Sequence, residues 1–356
     1  MKLTTFLSQT NLEHSLLLGY YGGGNYGDEL LLEVLQNLLS GGGVKDVVVA
    51  YKDPRNYASM HHDFGYKIIN IESKQALTRA ALRSKKIVVG GGGLWGVDMN
   101  ANTFMLSAFL WVCRWLLHKK VYLLGVGYYR STTPVGRVAA WLAGKAANLV
   151  LARDTETHKN FSRITSHVYW DVDIAWYVNQ LDLGAYEREA HELDKKLKLR
   201  GKTIFMAPRR WQAKRQQATF GQFNELLAEC AAANKTKDAI IALAESESKG
   251  PELYRWARGL RTKHRHVRLL DFAHNPLALF LFFKKHHKDL SVIAPQLHII
   301  ATAHLTKTSF MPLVYDNKVH ELLKNIGVSD DRQLPINRVT QADLQASVDA
   351  FYGSNA

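Results

Sequence analysis

The residues of this chain that could do chemistry fall into three groups: a histidine and arginines beside strand ends, a pair of carboxylates at a helix start, and glycine-rich turns. His298 lies in VIAPQLHIIATAHLTKTSFMPLVYDNKV. This run reads as a strand over residues 290–294, a turn at Pro295 and Gln296, a helix from about Leu297, and a second strand over 310–315. In open α/β sheets ligands bind outside the carboxyl ends of strands. An imidazole at that point is therefore poised for proton transfer.

The glycines come in three stretches, each at the end of a predicted strand. Residues 19–29, GYYGGGNYGDE, follow an apolar strand and lead into the helical LLLEVLQNLLS. Glycine permits tight turns there, helix amides can bind an anion, and Asp28 can serve as N-cap. Gly22, Gly24 and Gly27 also satisfy GxGxxG, with Asp53 after the next strand, which would imply a dinucleotide. The acidic pair Asp28-Glu29 at the helix start opposes a pyrophosphate. The other stretches are VVGGGGLW (88–95) and LLGVGYYR (123–130). Any one could be a tight turn, but three at strand ends of one domain favour a pocket lined by backbone.

Other polar clusters carry less. His61-His62-Asp63 and His286-His287 lack metal-ligand spacing and read as solvated surface. Trp111 and Trp115, four apart on an apolar helix, read as core packing. Cys113 and Cys230 show no CxxC pattern, so neither a disulfide framework nor a zinc site is indicated, and a reducing cytoplasmic compartment is expected.

Positioning these residues takes alternating strands and helices, the signature of βαβ units. Strands are predicted over 15–19, 44–51, 67–71, 86–89, 121–126, 148–152 and 167–170, then over 203–206, 239–244, 267–271, 290–294 and 310–315. The fold class is α/β: two Rossmann-like domains with parallel sheets in a GT-B-like arrangement, the site lying in an interdomain cleft. The boundaries are 1–183, a charged linker over 184–201, a second domain over 202–332, and a helical extension over 333–356. Residues 104–117 are apolar but too short and interrupted to span a bilayer. They read as a core helix, with a peripheral membrane contact as the alternative. The start of the chain lacks the pattern of a signal peptide. A net charge of +14 and a pI near 9.6 attract anions. Nucleic acid is not expected, because no aromatics interleave with the basic clusters.

The order of these motifs resembles the polysaccharide pyruvyl transferase family. The residues that carry the resemblance are GYYGGGNYGDE, VVGGGGLW, GVG (125–127), ARD (152–154), an aspartate near Asp173, PRRW (208–211), QLH (296–298) and YDNK (315–318). It spans roughly residues 15–330. It implies phosphoenolpyruvate as donor, no other cofactor, a glycan or lipid-linked sugar as acceptor, and a pyruvate ketal as product. By the same resemblance His298 is the general acid and base. Asp28 orients or deprotonates an acceptor hydroxyl, or is simply a helix cap. Arg209, Arg210, Gln296, Lys318, Tyr315 and Asp316 bind the donor, and Gly23, Gly24, Asn25, Gly91, Gly92 and Gly127 line the site. The sequence departs from the family where Gln296 replaces the expected arginine. Glutamine lacks the charge and the two-pronged fork, so Arg210 or Lys307 compensates, or the donor use is altered.

The alternatives are a GT-B nucleotide-sugar glycosyltransferase, a dinucleotide oxidoreductase, and a non-catalytic anion-binding relative. The expected location is cytoplasmic, with peripheral contact at the anionic inner membrane face. Oligomeric state is not readable from the sequence.

Overall fold

Runs such as SLLL, VVVAY and LSVIA are apolar at successive positions, as strands covered on both faces must be. The computed structural model describes residues 1–96, 101–129, 133–209, 214–234, 238–248, 250–271, 274–330 and 333–353, with backbone alone for 214–220. Two units result: Met1–Gly23 with Asp28–Leu181, and Gly24–Gly27 with Asp182–Ala356.

The first unit runs α1 (Leu3–Gln9), β1 (Ser15–Leu18), α2 (Tyr26–Gly41, from Asp28 on), β2 (Val47–Tyr51), α3 (Pro54–Met60), β3 (Lys67–Asn70), α4 (Lys74–Arg83), β4 (Lys86–Trp95), α5 (Ala101–Trp115), β5 (Lys120–Tyr128), α6 (Pro134–Ala146), β6 (Leu149–Ala152), α7 (Thr155–Ser162) and β7 (Val168–Trp170). The strands form one sheet in the order β3-β2-β1-β4-β5-β6-β7, parallel throughout. Leu16, Leu17 and Leu18 of central β1 are at most 1% exposed. Each such burial contributes about 1.5–3 kcal/mol. One face carries a cluster that includes Ala80 and Ala81 of α4, Leu110 and Cys113 of α5, Ala140 and Ala143 of α6, and Phe161 of α7. These four helices therefore share one layer. Strand β4 runs on past its predicted end at residue 89. Gly91 and Gly92 take left-handed φ of 71° and 87°, and pairing with β5 shifts register between Gly92 and Trp95.

The second unit continues with α8 (Glu187–Leu197), β8 (Thr203–Met206), α9 (Lys214–Ala233), β9 (Asp238–Ala242), α10 (Pro251–Lys263), β10 (Val267–Leu270), α11 (Pro276–His286), β11 (Leu290–Ala294), α12 (Leu297–Leu305), β12 (Ser309–Val314), α13 (Asn317–Asn325), β13 (Leu334–Pro335) and α14 (Gln341–Gly353). The sheet order is β10-β9-β8-β11-β12-β13, again parallel. Each unit is thus Rossmann-like.

Two predicted segments differ. The stretch 184–201, read as a linker, contains α8, whose Leu193 and Leu197 are buried and whose Asp194 bonds Lys285 at 2.5 Å and His286 at 2.7 Å on α11. Two leucines four apart suffice for one buried helical stripe, so low apolar content did not mean an open connection. The region 333–356, read as helical, begins with β13 on the sheet edge. An edge tolerates Pro335, which cannot donate to a further strand. Among the described residues no helix is long and apolar enough to cross a membrane.

Candidate active site

In the second unit the chain builds outward from β8 to β9 and β10, then returns to place β11 on the other side of β8. The carboxyl ends of β8 and β11 therefore flank the switch point, where a Rossmann sheet opens a crevice for ligand. Arg209 leaves β8, Gln296 and His298 leave β11, and Tyr315, Asp316 and Lys318 leave β12.

Hydrogen bonds tie these turns together. Gln296 Nε2 donates to Pro208 O at 2.9 Å, joining the turn after β11 to the turn after β8. Arg209 Nη1 donates to Tyr315 Oη at 2.8 Å, and its guanidinium lies 4.7 Å from the tyrosine ring centroid. The Arg209 main chain is clamped by Asn224 of α9, which accepts from the Arg209 amide at 3.2 Å and donates to its carbonyl at 3.0 Å. Lys318 Nζ sits 3.3 Å from Asp316 Oδ2 and 5.4 Å from the Tyr315 ring centroid. Asp316 also caps α13, accepting from the Lys318 amide at 3.4 Å. Asp316 is thus both the N-cap of α13 and the ion-pair partner of Lys318.

The electrostatics favour an anion. Helices α12 and α13 both begin here, with the positive ends of their dipoles beside two cationic side chains. Gln296 is the N-cap residue of α12, yet its side chain makes no cap bond. Its Oε1 is buried without a hydrogen-bond partner among the described residues, a state that costs about 1–3 kcal/mol when left unmet. Of the two cations proposed to replace the missing arginine, Lys307 follows the far end of α12, about 14 Å along a nine-residue helix from Gln296. It cannot serve the same group. Arg210 lies outside the described residues, as do Trp211 and Arg130.

His298, on the first turn of α12, is half-buried. The second unit takes in Gly24–Gly27, and Gly27 packs on the imidazole so closely that a Cβ at 27 would overlap Nδ1. In the same segment Tyr26 Oη lies 3.0 Å from Thr302 Oγ1, one helical turn beyond His298. The Tyr26 amide donates to Ala244 O at 3.0 Å, and Asn25 forms an antiparallel bridge with Glu245. Gly24 meets Ser246. The predicted loop residues Gly24 and Asn25 are thus brought together with the strand-end residues, by contacts that no local pattern announces.

The remaining predicted residues lie in the first unit. Asp28 is not the N-cap, because α2 begins at Tyr26; it sits with Glu29 in the first turn. A Cβ at Gly92 would lie 3.4 Å from its Oδ1. Gly23, Gly91 and Gly127 give their space to protein side chains: the Tyr20 ring, Leu31 and the Arg153 guanidinium. Arg153 is itself buried, with Nη1 3.2 Å from Asp173 Oδ2 and Nη2 donating to Tyr129 Oη at 3.1 Å. Tyr129 Oη in turn donates to Asp154 Oδ2 at 2.7 Å. The ARD motif and Asp173 therefore form a buried ionic network behind the glycine turns.

His61 overturns its predicted surface placement. Its side chain is wholly buried, with Nδ1 2.5 Å from Glu33 Oε2 and Nε2 3.0 Å from Glu29 Oε2. Glu29 Oε1 accepts the amide of Gly22 at 3.0 Å. The carboxylate thus occupies the glycine-loop amide that a pyrophosphate would need under the dinucleotide reading. Burial pulls the His61 pKa down, but the bonds and charges of Glu29 and Glu33 outweigh it and hold it at about 9. Nothing local signals this cluster, since its carboxylates precede His61 by 28 and 32 residues. Among the described residues no group of three or more His, Cys, Asp or Glu is arranged to hold a metal ion.

The fold is shared with solved structures of low sequence identity. UDP-GlcNAc 2-epimerase from Neisseria meningitidis bound to UDP-GlcNAc superposes with a TM-score of 0.61 at 12% identity, covering 94% of this chain and 90% of that one. UDP-GlcNAc 2-epimerase from Methanocaldococcus jannaschii gives 0.55 at 12% identity, covering 95% of this chain and 99% of that one. These likenesses show a fold of two Rossmann-like domains, as in GT-B-like enzymes. No curated protein sequence matches the chain. The sequence profile of the polysaccharide pyruvyl transferases matches residues 25–317, a span from the glycine-rich loop through Asp316. The chain belongs to the polysaccharide pyruvyl transferase family.

Proposed function

We propose that the protein transfers the enolpyruvyl unit of phosphoenolpyruvate to a sugar of a cell-surface polysaccharide or its lipid-linked precursor, forming a pyruvate ketal. The observation that carries this reading is the convergence of Arg209, Lys318 and the starts of α12 and α13 around the strand end that bears His298. A carboxylate and a phosphate on one small donor match two cations and two helix dipoles.

In this reading His298 delivers a proton to C3 of the donor, generating an oxocarbenium at C2. A sugar hydroxyl adds to C2 and returns a proton to the imidazole. A second hydroxyl then displaces inorganic phosphate from C2 and closes the ketal, its proton leaving with the phosphate. One histidine thus serves as acid and then base. Gln296 contributes an amide rather than a charge beside the donor.

The test is phosphate release from phosphoenolpyruvate with a panel of glycan acceptors, comparing wild type, His298→Ala and Gln296→Arg. Acceptor-dependent release by the wild type, lost in His298→Ala, is expected. Full activity in His298→Ala would falsify the mechanism. No release with any acceptor, together with thermal stabilisation by a UDP-sugar, would favour the nucleotide-sugar reading instead.

A further inference from the structure

Helix α5 breaks the usual rule for a surface helix. ANTFMLSAFLWVCRW is apolar nearly all round, the mark of a helix covered on every side. Its inner face buries Ser107, Leu110 and Cys113. Its outer face nonetheless exposes Met105 (59%), Val112 (37%) and Trp115 (49%), with Leu116 (64%) following. At 3.6 residues per turn these positions fall on one side of the helix. Trp115, read from the sequence as core packing, is therefore a surface residue. Helix α6 packs beside α5 and exposes Val138 (49%) and Trp141 (48%).

Thirteen large apolar side chains are exposed among the described residues, and all lie in the first unit; eight of them are on α5 with Leu116 and on α6. This is a patch and not scatter, and such patches mark contact surfaces.

Its charge identifies the partner. Between Ser73 and Arg153 the sequence has 11 Lys and Arg and one acid, Asp98. Trp141 lies between exposed Arg137 and Lys145, four residues to either side and so on the same helical face. Arg114 stacks over Trp115 with its guanidinium carbon 5.0 Å from the ring centroid. Lys119 Nζ donates to Leu82 O at 2.9 Å, bringing the basic segment after α5 against the exposed end of α4. A second copy of the chain is a poor occupant, since a two-fold contact would set this positive face against itself. Tryptophan set among basic residues on an apolar helical face suits the boundary between anionic headgroups and acyl chains.

We propose that the outer face of α5 and α6 docks the protein on an anionic lipid bilayer, with Trp115 and Trp141 entering the interface and the surrounding Arg and Lys binding headgroup phosphates. This stands independently of the pyruvyl-transfer reading and gains no support from it.

The experiment is flotation of the full chain with vesicles of phosphatidylcholine alone or mixed with phosphatidylglycerol, following tryptophan fluorescence. Binding to the mixed vesicles only, with a blue shift, is expected. Arg137→Glu with Lys145→Glu should weaken binding at least about tenfold, from the several-fold effect of each charge at an anionic surface. Trp115→Ser with Trp141→Ser should remove the blue shift while thermal melting is unchanged. Three results would overturn the proposal: no flotation with mixed vesicles, flotation indifferent to both variant pairs, or a concentration-dependent dimer lost in the Trp pair without vesicle binding.

Discussion

The main chain of Gly27 and the imidazole of His298, 271 residues apart in sequence, are in direct contact, and a methyl group at position 27 would overlap Nδ1. The glycine therefore fixes where the ring stands. Alanine on a helix is intrinsically favoured over glycine by up to about 1 kcal/mol, so Gly27→Ala should not harm the helix itself. It should displace the imidazole and lower phosphate release at least about tenfold, the scale for a misplaced proton-transfer group. In a double-mutant cycle, Gly27→Ala should add nothing to His298→Ala, because its effect passes through the ring. Additive losses would show that position 27 acts another way.

Gln296 stands where the family resemblance implies arginine, and its amide donates to Pro208 O while Oε1 is buried and unmatched. Gln296→Arg keeps a donor for that carbonyl and removes the orphaned acceptor. It adds a charge able to hold a carboxylate in two-pronged fashion. The variant should lower KM for phosphoenolpyruvate about tenfold, equivalent to about 1.4 kcal/mol, with kcat changed little. An unchanged KM would place the donor away from the α12 N-terminus.

The strand-end positions of Arg209, His298 and Tyr315 were legible because strand, turn and helix follow one another locally, and a parallel sheet gathers the turns after its strands along one edge. What brings them together was not legible. Asn224 grips Arg209 from α9, Gln296 reaches back to Pro208, and Tyr26 meets Thr302; each depends on which strands become neighbours. The misread segments share a cause. His61 sits in the polar run HHD, whose other two residues are exposed, and only the fold supplies Glu29 and Glu33 to bury its side chain; FLWVCRW is apolar in composition, and only the fold leaves Trp115 outside.

Arg209 is held by Tyr315 through both the hydroxyl and the ring face. Tyr315→Phe removes the hydrogen bond and leaves the ring, costing about 1 kcal/mol of stability. KM for the donor should rise several-fold with kcat nearly kept, because the guanidinium is less well aimed. Arg209→Ala removes the cation and should lower kcat/KM at least about a hundredfold, near 2.7 kcal/mol. Steady-state kinetics on both variants separates aim from charge: equal losses would mean that Tyr315 touches the donor directly.

Protonated His61 is stabilised between Glu29 and Glu33, with a pKa of about 9 against about 6.5 for an unfolded histidine. Since the folded value is the higher one, the stabilisation is complete below about pH 6.5. It declines as the pH rises and is gone above about 9. The difference amounts to roughly 3 kcal/mol. Urea unfolding of wild type and His61→Gln should therefore diverge most at pH 6, and the two should converge by pH 10 as this contribution is lost. Loss of the imidazolium also leaves Glu29 and Glu33 facing each other without a cation, loosening the carboxylate that holds the Gly22 amide at 3.0 Å. Amide hydrogen exchange at Gly22 should accordingly quicken in His61→Gln more than at the core positions of β1. Uniform quickening across both sites would mean global destabilisation, with no specific hold on the loop.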